Sequence, residues 1–471
     1  MPKRFWLLFS LFFFIRLPLA ASGQGYDIQL YLPGYSNSKL LVTYYYFGHL
    51  YVKDSLETNA AGRAVFSGEK PLQQGIYQLY FSKEKQLDFL VGEDQSFEIY
   101  LDDTIKPPLI KAAWESEKFQ EYLNLTDQLR KQHRAISEKK ETYKSHRDSV
   151  DQFNLQISRI TKEIMDFRLA EGLKYPDSFY GKFIAAQQVP KVKEDEIPGP
   201  YVKNDSLRWV YEYNYRKKHY WDYFDLGDMR MWHTPYIKER LNDYLNKVLL
   251  QTPDTVIPEA IRLIETYKNN KPVFQNLTSF ILNNSIQSRV MGIENVFVAI
   301  AEKYYLSGQA FWADKSTLDY IRQEVEIRKN NLIGIQAKEL LLEDANGEFH
   351  SLKQQATPYT VVAFWEPACG HCKSEIPKLY NEVFLKVSPS KLSVYSVYTM
   401  TDRTEWLNFI DQHELHDWIN VWDPHQNSGF RYLYGVRTTP AIFLLDQDKK
   451  IIAKNLDVNS LKQVLASRGL N

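Results

Sequence analysis

The sequence predicts a multidomain chain: an N-terminal β-sandwich, a helical middle domain and a C-terminal three-layer α/β domain. Three observations predict it. Apolar and polar residues alternate with period two across residues 26–104. Apolar residues then recur three and four apart across 113–330. From Leu332 onward, short apolar strands alternate with helical stretches. The expected domains are therefore 24–105, 106–331 and 332–471, behind a segment 1–23 of different character.

That first segment reads as an export signal. Lys3 and Arg4 precede an almost continuous apolar run from Phe5 to Ile15, and small residues follow at Ala20, Ala21, Ser22 and Gly23. Arg16 and Pro18 cut the run short of the ~20 apolar residues that a membrane-spanning helix needs. Cleavage near residues 22–24 is the expectation, which places the mature chain in a periplasm or cell envelope. Lys+Arg and Asp+Glu both number 58, so the formal net charge is zero. The chain thus has no global basic field to draw in nucleic acid or an anionic membrane.

In the β-region, Tyr26 to Leu32 alternates strictly, and Lys39 to Phe47 is rich in β-branched and aromatic residues. Ala61–Phe66, Gly75–Phe81, Gln86–Val91 and Ser96–Leu101 follow turn signals. In the helical region, Val150, Phe153, Ile157, Ile160, Ile164 and Phe167 form an apolar seam, which a helix over Phe119–Tyr143 can meet as an antiparallel hairpin. Pro176, Pro190, Pro198 and Pro200 mark a break. Further helices are expected over Pro235–Leu250, Pro258–Lys268, Val273–Arg289 and Glu294–Tyr305.

In the last region, strands are expected at Glu339–Glu343, Thr360–Trp365, Leu392–Thr399, Ile419–Trp422, Ala441–Leu445 and Lys450–Lys454. Helices are expected at Gly370–Leu385, Arg403–His413 and Gln426–Leu433, with a final one capped by Asn459.

The chain has only two cysteines, in the run Trp365-Glu366-Pro367-Ala368-Cys369-Gly370-His371-Cys372. A disulfide framework would spread more of them along the chain. Here a C-x-x-C sits where a buried strand hands over to a helix. The first sulfur then meets unpaired N–H groups and the positive end of the helix dipole, which favour the thiolate. The second lies one turn on, placed to attack a mixed disulfide. Cys369 is thus the attacking thiol and Cys372 the resolving one, and His371 between them is a further donor. A structural zinc site would need four ligands. Covalent haem attachment would need His after the second Cys, where Lys373 stands. A static disulfide would leave the helix-start placement unexplained.

Downstream, Thr439-Pro440 stands directly before a strand. With the C-x-x-C upstream, this region resembles the thioredoxin superfamily over about residues 333–471. The resemblance implies a thioredoxin fold, a cis-proline loop at Pro440 facing the cysteines, and a Thr439 that binds substrate backbone. Pro377 matches the proline that kinks the first helix. Glu375 and Pro377 extend the motif to C-x-x-C-x-x-E-x-P, similar to the ResA/TlpA-type redoxin branch. One departure stands out. The buried acid that thioredoxins carry on the strand before Trp is Ala363 here, so Glu366, Glu375 or water must take the proton of the second thiol. Tyr220–Asp225, Lys247–Pro258 and Met291–Glu294 resemble a helical domain of unknown function that precedes redoxin domains in Bacteroidetes envelope proteins. The β-region resembles the N-terminal domain of unknown function of the same proteins.

The expectation is an exported thiol–disulfide oxidoreductase. Trp365, Pro367, Thr439 and Pro440 shape its docking surface, and Gly370, His371 and Glu375 support the pair. It implies no metal and no organic cofactor. Its partners are protein thiols or disulfides, with a membrane or periplasmic electron donor. Two alternatives stand beside it: a peroxiredoxin-type peroxidase, and an envelope binding protein with an accessory redox domain. His413 and His416 have ligand spacing without an evident third ligand, and read as a solvated helix end. The glycosylation-like triplets at Asn124, Asn276 and Asn283 read as chance matches in a bacterial chain.

Overall fold

The computed structural model describes residues 25–102 and 105–470; the expected export signal lies outside the described residues. No helix among the described residues is long and apolar enough to cross a membrane. The chain divides into two compact units between Leu241 and Asn242.

The first unit opens with eight strands: β1 (Tyr26–Tyr31), β2 (Lys39–Tyr46), β3 (His49–Glu57), β4 (Arg63–Gly68), β5 (Gly75–Tyr80), β6 (Gln86–Val91), β7 (Ser96–Asp102) and β8 (Ile105–Lys111). They form two four-stranded sheets, ordered β4-β1-β7-β8 and β3-β2-β5-β6. Ile28, Leu30 and Ile99 from one sheet join Val42, Leu79 and Phe89 from the other in a single hydrophobic cluster. Two strands escape the alternation rule, and both are edges. β3 is solvent-exposed along nearly its whole length, so no apolar face marks it. β8 carries Pro107 and Pro108, which a sheet tolerates at its rim.

Helices follow. The hairpin of α1 (Trp114–Thr142) and α2 (Arg147–Lys174) is antiparallel: Tyr122 stacks on Phe167 at 6.2 Å, while Tyr143 meets Phe153 at the other end. The seam expected on α2 is only half-buried. The proline-rich break holds a short buried helix, α3 (Phe179–Ala185), whose Phe179, Tyr180, Phe183 and Ile184 are all inside. The helices α4 (Gly199–Val202), α5 (Asp205–His219), α6 (Met229–Trp232) and α7 (Ile237–Asp243) complete this stretch.

The second unit begins with α8 (Pro253–Thr266), α9 (Lys271–Gln287), α10 (Glu294–Ile300) and α11 (Lys315–Lys329). The first of these starts five residues before the expected Pro258. Pro253 occupies its first turn, where a missing N–H costs nothing, and Pro258 lies inside. The α/β region then runs β9 (Leu341–Glu343), β10 (Phe349–Ser351), β11 (Tyr359–Trp365), α12 (Gly370–Glu382), β12 (Leu392–Tyr398), α13 (Arg403–Gln412), β13 (Ile419–Trp422), α14 (Phe430–Leu433), β14 (Ala441–Leu445), β15 (Ile451–Lys454) and α15 (Val458–Ser467).

Its seven-stranded sheet has the order β10-β9-β13-β12-β11-β14-β15, with β11 parallel to β12 and antiparallel to β14. Alternate residues of β11 close two separate cores. Val361, Ala363 and Trp365 enter one, and Val362 and Phe364 the other. A strand covered on both faces reads as a continuous apolar run, which is what Val361 to Trp365 is.

Two expectations are corrected here. The last helix is capped by Asp457, not Asn459: the Asp457 carboxylate accepts the Ser460 N–H at 2.7 Å. The helix expected over Gln426–Leu433 shrinks to α14. The Asp423 carboxylate holds the N–H groups of Asn427 and Ser428, at 3.2 and 2.9 Å, in a turn.

A chain of charges, buried except at its Arg437 end, joins the helical and α/β parts of this second unit. Lys454 Nζ lies 2.5 Å from Glu294, and its side chain is 6% exposed. Glu294 in turn faces Arg328 at 3.5 Å; Arg328 reaches Glu324 at 3.0 Å; and Glu324 accepts from Arg437 at 2.6 Å. Burial pushes the Lys454 ammonium below its ordinary range. Removing one partner of a buried pair strands the other charge, at a cost of about 3–5 kcal/mol. Glu294→Ala is accordingly expected to lower the unfolding free energy of this unit by roughly that amount, read as a shift of the urea midpoint.

Candidate active site

The site forms where β11 ends. Trp365 fixes the end of the strand: it is wholly buried, its Nε1 donates to Ser396 Oγ at 2.8 Å, and its ring lies 4.7 Å from Phe409. The next residues turn, with the Cys369 N–H donating to the Glu366 carbonyl at 3.3 Å. Cys369 is then the N-cap of α12. Its backbone is extended, and its sulfur accepts the Cys372 N–H at 3.4 Å. Cys372, one turn in, is buried against the sheet while Cys369 is partly exposed. The two cysteines approach to 3.0 Å, both as free thiols.

The loop before β14 closes the other side. The Thr439–Pro440 peptide is cis. The Cys369 thiol donates to the Thr439 carbonyl at 3.1 Å, and the Thr439 hydroxyl donates to Glu366 Oε1 at 3.0 Å. Arg437, on the same loop, is the residue that Glu324 of α11 grips. Beside the loop lies a cleft of about 630 Å³, whose walls include His371, Glu375, Thr438, Thr439 and Pro440.

The electrostatics separate the two thiols. Burial works against ionisation of Cys369. Hydrogen bonds from the Cys372 thiol and N–H and from the His371 N–H outweigh it, and the Cys369 pKa lies below the ordinary thiol value. Cys372 moves the other way. Burial is the main cause and its bond with Cys369 adds to it, so its pKa is pushed up to about 12. The arrangement yields one accessible nucleophile with a protonated thiol directly behind it.

The remaining expected residues fall into place unevenly. Trp365 and Pro367 are buried, so they anchor the turn and present no docking surface; Thr439 and Pro440 remain half-exposed. Gly370 has open space where a Cβ would stand, so no neighbour demands a glycine there. His371 acts on Cys369 through its backbone N–H, and its ring is on the exposed cleft wall. Glu375 is drawn toward α15, where its carboxylate accepts the Val458 N–H at 2.8 Å. Ala363 is fully buried and flanked by Ile442 and Ser396.

His413 ends α13 against the Phe409 ring, and His416 is exposed beside Asp411. Among the described residues, ligand-like geometry occurs instead at Asp344, Glu348 and His350. There Asp344 is already taken up by the hairpin turn, accepting from Asn346, Glu348 and His350. The Arg437–Glu324 contact had no sequence signal, its members lying 113 positions apart.

Comparison with known proteins agrees with this geometry. Residues 333–454 match the AhpC/TSA family, and residues 185–331 match a domain of unknown function, DUF5106. Thiol-disulfide oxidoreductase ResA of Bacillus cereus is 23% identical over 158 residues, which cover 33% of this chain and 80% of that protein. A domain of a possible thiol-disulfide isomerase from Cytophaga hutchinsonii is 33% identical, covering 29% of this chain and 93% of its own, with a TM-score of 0.28. A thioredoxin-like protein from Bacteroides caccae is 18% identical, covering 59% of this chain and 98% of its own, with a TM-score of 0.44. The chain thus joins an N-terminal sheet-rich region and a helical middle to a C-terminal thioredoxin-like α/β domain.

Thiolates, not thiols, are alkylated. Iodoacetamide should therefore modify Cys369 of the reduced protein with a pH midpoint below the ~8.5 of a free cysteine. Cys372 should stay unmodified through neutral pH and react only toward pH 12. Peptide mass mapping across a pH series checks this, and equal labelling of both residues near neutrality would contradict it.

Proposed function

We propose that the chain is an exported thiol–disulfide oxidoreductase that exchanges disulfides with protein partners through Cys369 and Cys372. The observation that carries this reading is the asymmetry of the pair: a part-exposed sulfur favoured as thiolate, backed by a buried thiol 3.0 Å away. The Cys369 thiolate attacks one sulfur of a partner disulfide and expels the other as a thiolate. Cys372, once deprotonated, attacks the Cys369 sulfur of the mixed disulfide and releases the partner's second sulfur. Two electrons pass from the protein pair to the partner, leaving a Cys369–Cys372 disulfide. The same steps run backward if the partner is a dithiol. A peroxidase wants a lone reactive cysteine, and the thiol packed directly behind Cys369 favours exchange.

The rest of the reading follows from the sequence. The apolar run 5–15 with its basic start supports export to a periplasm or cell envelope. A membrane or periplasmic electron donor would recharge the pair if it works as a reductase. Two four-stranded sheets around one shared core support a β-sandwich for residues 24–105. The expected boundary at 105/106 moves to the end of β8, because Ile105–Lys111 pairs with β7; the helical region is read as starting at Trp114 and running to 331, and the redox domain as 332–471.

With a disulfide-bonded protein substrate, Cys369→Ser should abolish turnover to the uncatalysed background. Cys372→Ser should accumulate a mixed disulfide that resists resolution, visible on a non-reducing gel. Wild-type turnover by both variants would overturn the reading. Equilibration with glutathione buffers then gives direction: a couple near about −270 mV marks a reductase, and one near about −120 mV an oxidant.

A further inference from the structure

The chain of charges that ends on the proline loop does not balance. It holds three cations, Lys454, Arg328 and Arg437, and two carboxylates, Glu294 and Glu324. Each carboxylate stands between two cations. Glu294 lies 2.5 Å from Lys454 and 3.5 Å from Arg328; Glu324 lies 3.0 Å from Arg328 and 2.6 Å from Arg437. Lys454 also reaches the carbonyl and the side-chain oxygen of Asn331, at 2.9 and 2.5 Å. Three acceptors thus meet the three N–H groups of an ammonium. One positive charge is left over. Lys454, Glu294, Arg328 and Glu324 are only 6–21% exposed, so the excess emerges at Arg437, which is 55% exposed.

Arg437 stands where a partner must pass. It is two residues before Thr439, whose carbonyl meets the Cys369 sulfur at 3.1 Å, and it lines the cleft beside the pair with His371 and Thr438. Glu324 takes one of its five N–H groups. The carboxylates of the cleft are committed elsewhere. Glu375 accepts the Val458 N–H at 2.8 Å and lies 3.8 Å from Lys378; Asp457 accepts the Ser460 N–H at 2.7 Å. Both sit at the N-terminus of α15, where the helix dipole offsets negative charge. Glu366, in the turn before Cys369, holds the Thr439 hydroxyl at 3.0 Å.

We propose that Arg437 binds a carboxylate on the partner, so that the favoured substrates carry Asp or Glu close to the reactive cysteine. This rests on the exchange reading given above and names the substrate class within it. A guanidinium presents a planar fork that matches a carboxylate, and the bonds it makes are charge-assisted. Two residues of extended backbone span roughly 7 Å, which puts the acid within about four residues of the partner's cysteine. Glu324 has a second use in this scheme. It holds the guanidinium in place before the partner arrives, so less side-chain freedom is lost on binding. Through Glu324, α11 then contributes to recognition as well as to bracing the loop.

The test uses the full reduced chain and short peptides whose single cysteine is capped as a pyridyl disulfide. The Cys369 thiolate attacks the peptide sulfur and expels pyridinethione, whose absorbance gives the rate. Cys372 then displaces the peptide as a free thiol. The peptides differ only in one residue, Glu, Gln or Lys, placed in turn at each position up to about four from the cysteine. At the best position and low salt, the Glu peptide should react at least about threefold faster than the Gln peptide and about tenfold faster than the Lys peptide. The preference should fade toward ~1 M salt, where the Debye length shrinks to ~3 Å. Arg437→Gln should bring the three rates within about twofold of one another. Glu324→Gln keeps the guanidinium and should keep the order. Each comparison is a ratio within one preparation, so a lower folded fraction in a variant cancels. Equal rates for the Glu and Lys peptides in the wild type would overturn the proposal. So would a wild-type preference that persists in Arg437→Gln, or one that vanishes in Glu324→Gln and so belongs to the position of the loop. A wild-type chain that keeps every peptide bound as a mixed disulfide, seen by mass, would instead overturn the exchange reading itself.

Discussion

One hydrogen bond ties the chemistry to the fold: the Cys372 N–H reaching back to the Cys369 sulfur at 3.4 Å. It exists because a helix leaves its first N–H groups without partners, and something must cap them. Most helices use an oxygen from Ser, Thr, Asp or Asn. α12 uses sulfur, so satisfying the helix and polarising the nucleophile become one interaction. The same geometry buries Cys372 one turn along, against the core that Val361, Ala363 and Trp365 close. The contrast between the two thiols is therefore a property of a strand-to-helix junction. It persists for as long as β11 stays packed on both faces.

The second constraint is the loop that ends in Pro440. It must face Cys369 closely enough for the Thr439 carbonyl to meet the sulfur, yet it belongs to no regular element. Its upstream end is tied by Arg437 to Glu324, and through Arg328 and Glu294 to the buried Lys454. Of these charges Lys454, Glu294 and Glu324 are buried, and buried charges are costly to desolvate. Here they fasten α10, α11 and β15 of the second unit to the loop that faces Cys369. The helical segment that precedes the redox domain is in this way a brace for the site.

How much of this could be read from the sequence depended on whether the deciding interaction was local. β11 was legible because burial on both faces leaves a continuous apolar run. The pair was legible because strand, turn and helix start are contiguous. Thr439 and Pro440 were legible only as a motif, since their approach to the cysteines spans some seventy positions. The edge strands β3 and β8 were missed because an edge has no buried face to impose alternation, and because Pro107 and Pro108 argue against a strand anywhere but the rim. Asn459 was mistaken for a cap because Asp457, two residues earlier, offers the same chemistry. Sequence alone cannot choose between neighbouring carboxylate and amide caps. Trp365 was expected to shape the docking surface, but it is wholly buried and its bond to Ser396 holds it inside.

Ala363 shows what moving a carboxylate achieves. An acid at that position would stand between Ile442 and Ser396 in a closed core, and burying an unpaired charge there would cost several kcal/mol unless it stayed protonated. With alanine, both cores of the sheet close without a polar group on that strand position. A carboxylate stands instead three residues on, at Glu366 in the half-exposed turn. A carboxylate outside the core need not be desolvated to be held in position; it needs one directional contact. The 3.0 Å bond from Thr439 supplies that contact. The position of this carboxylate is therefore set by the loop opposite the helix, and the strand beneath the helix is left free to pack.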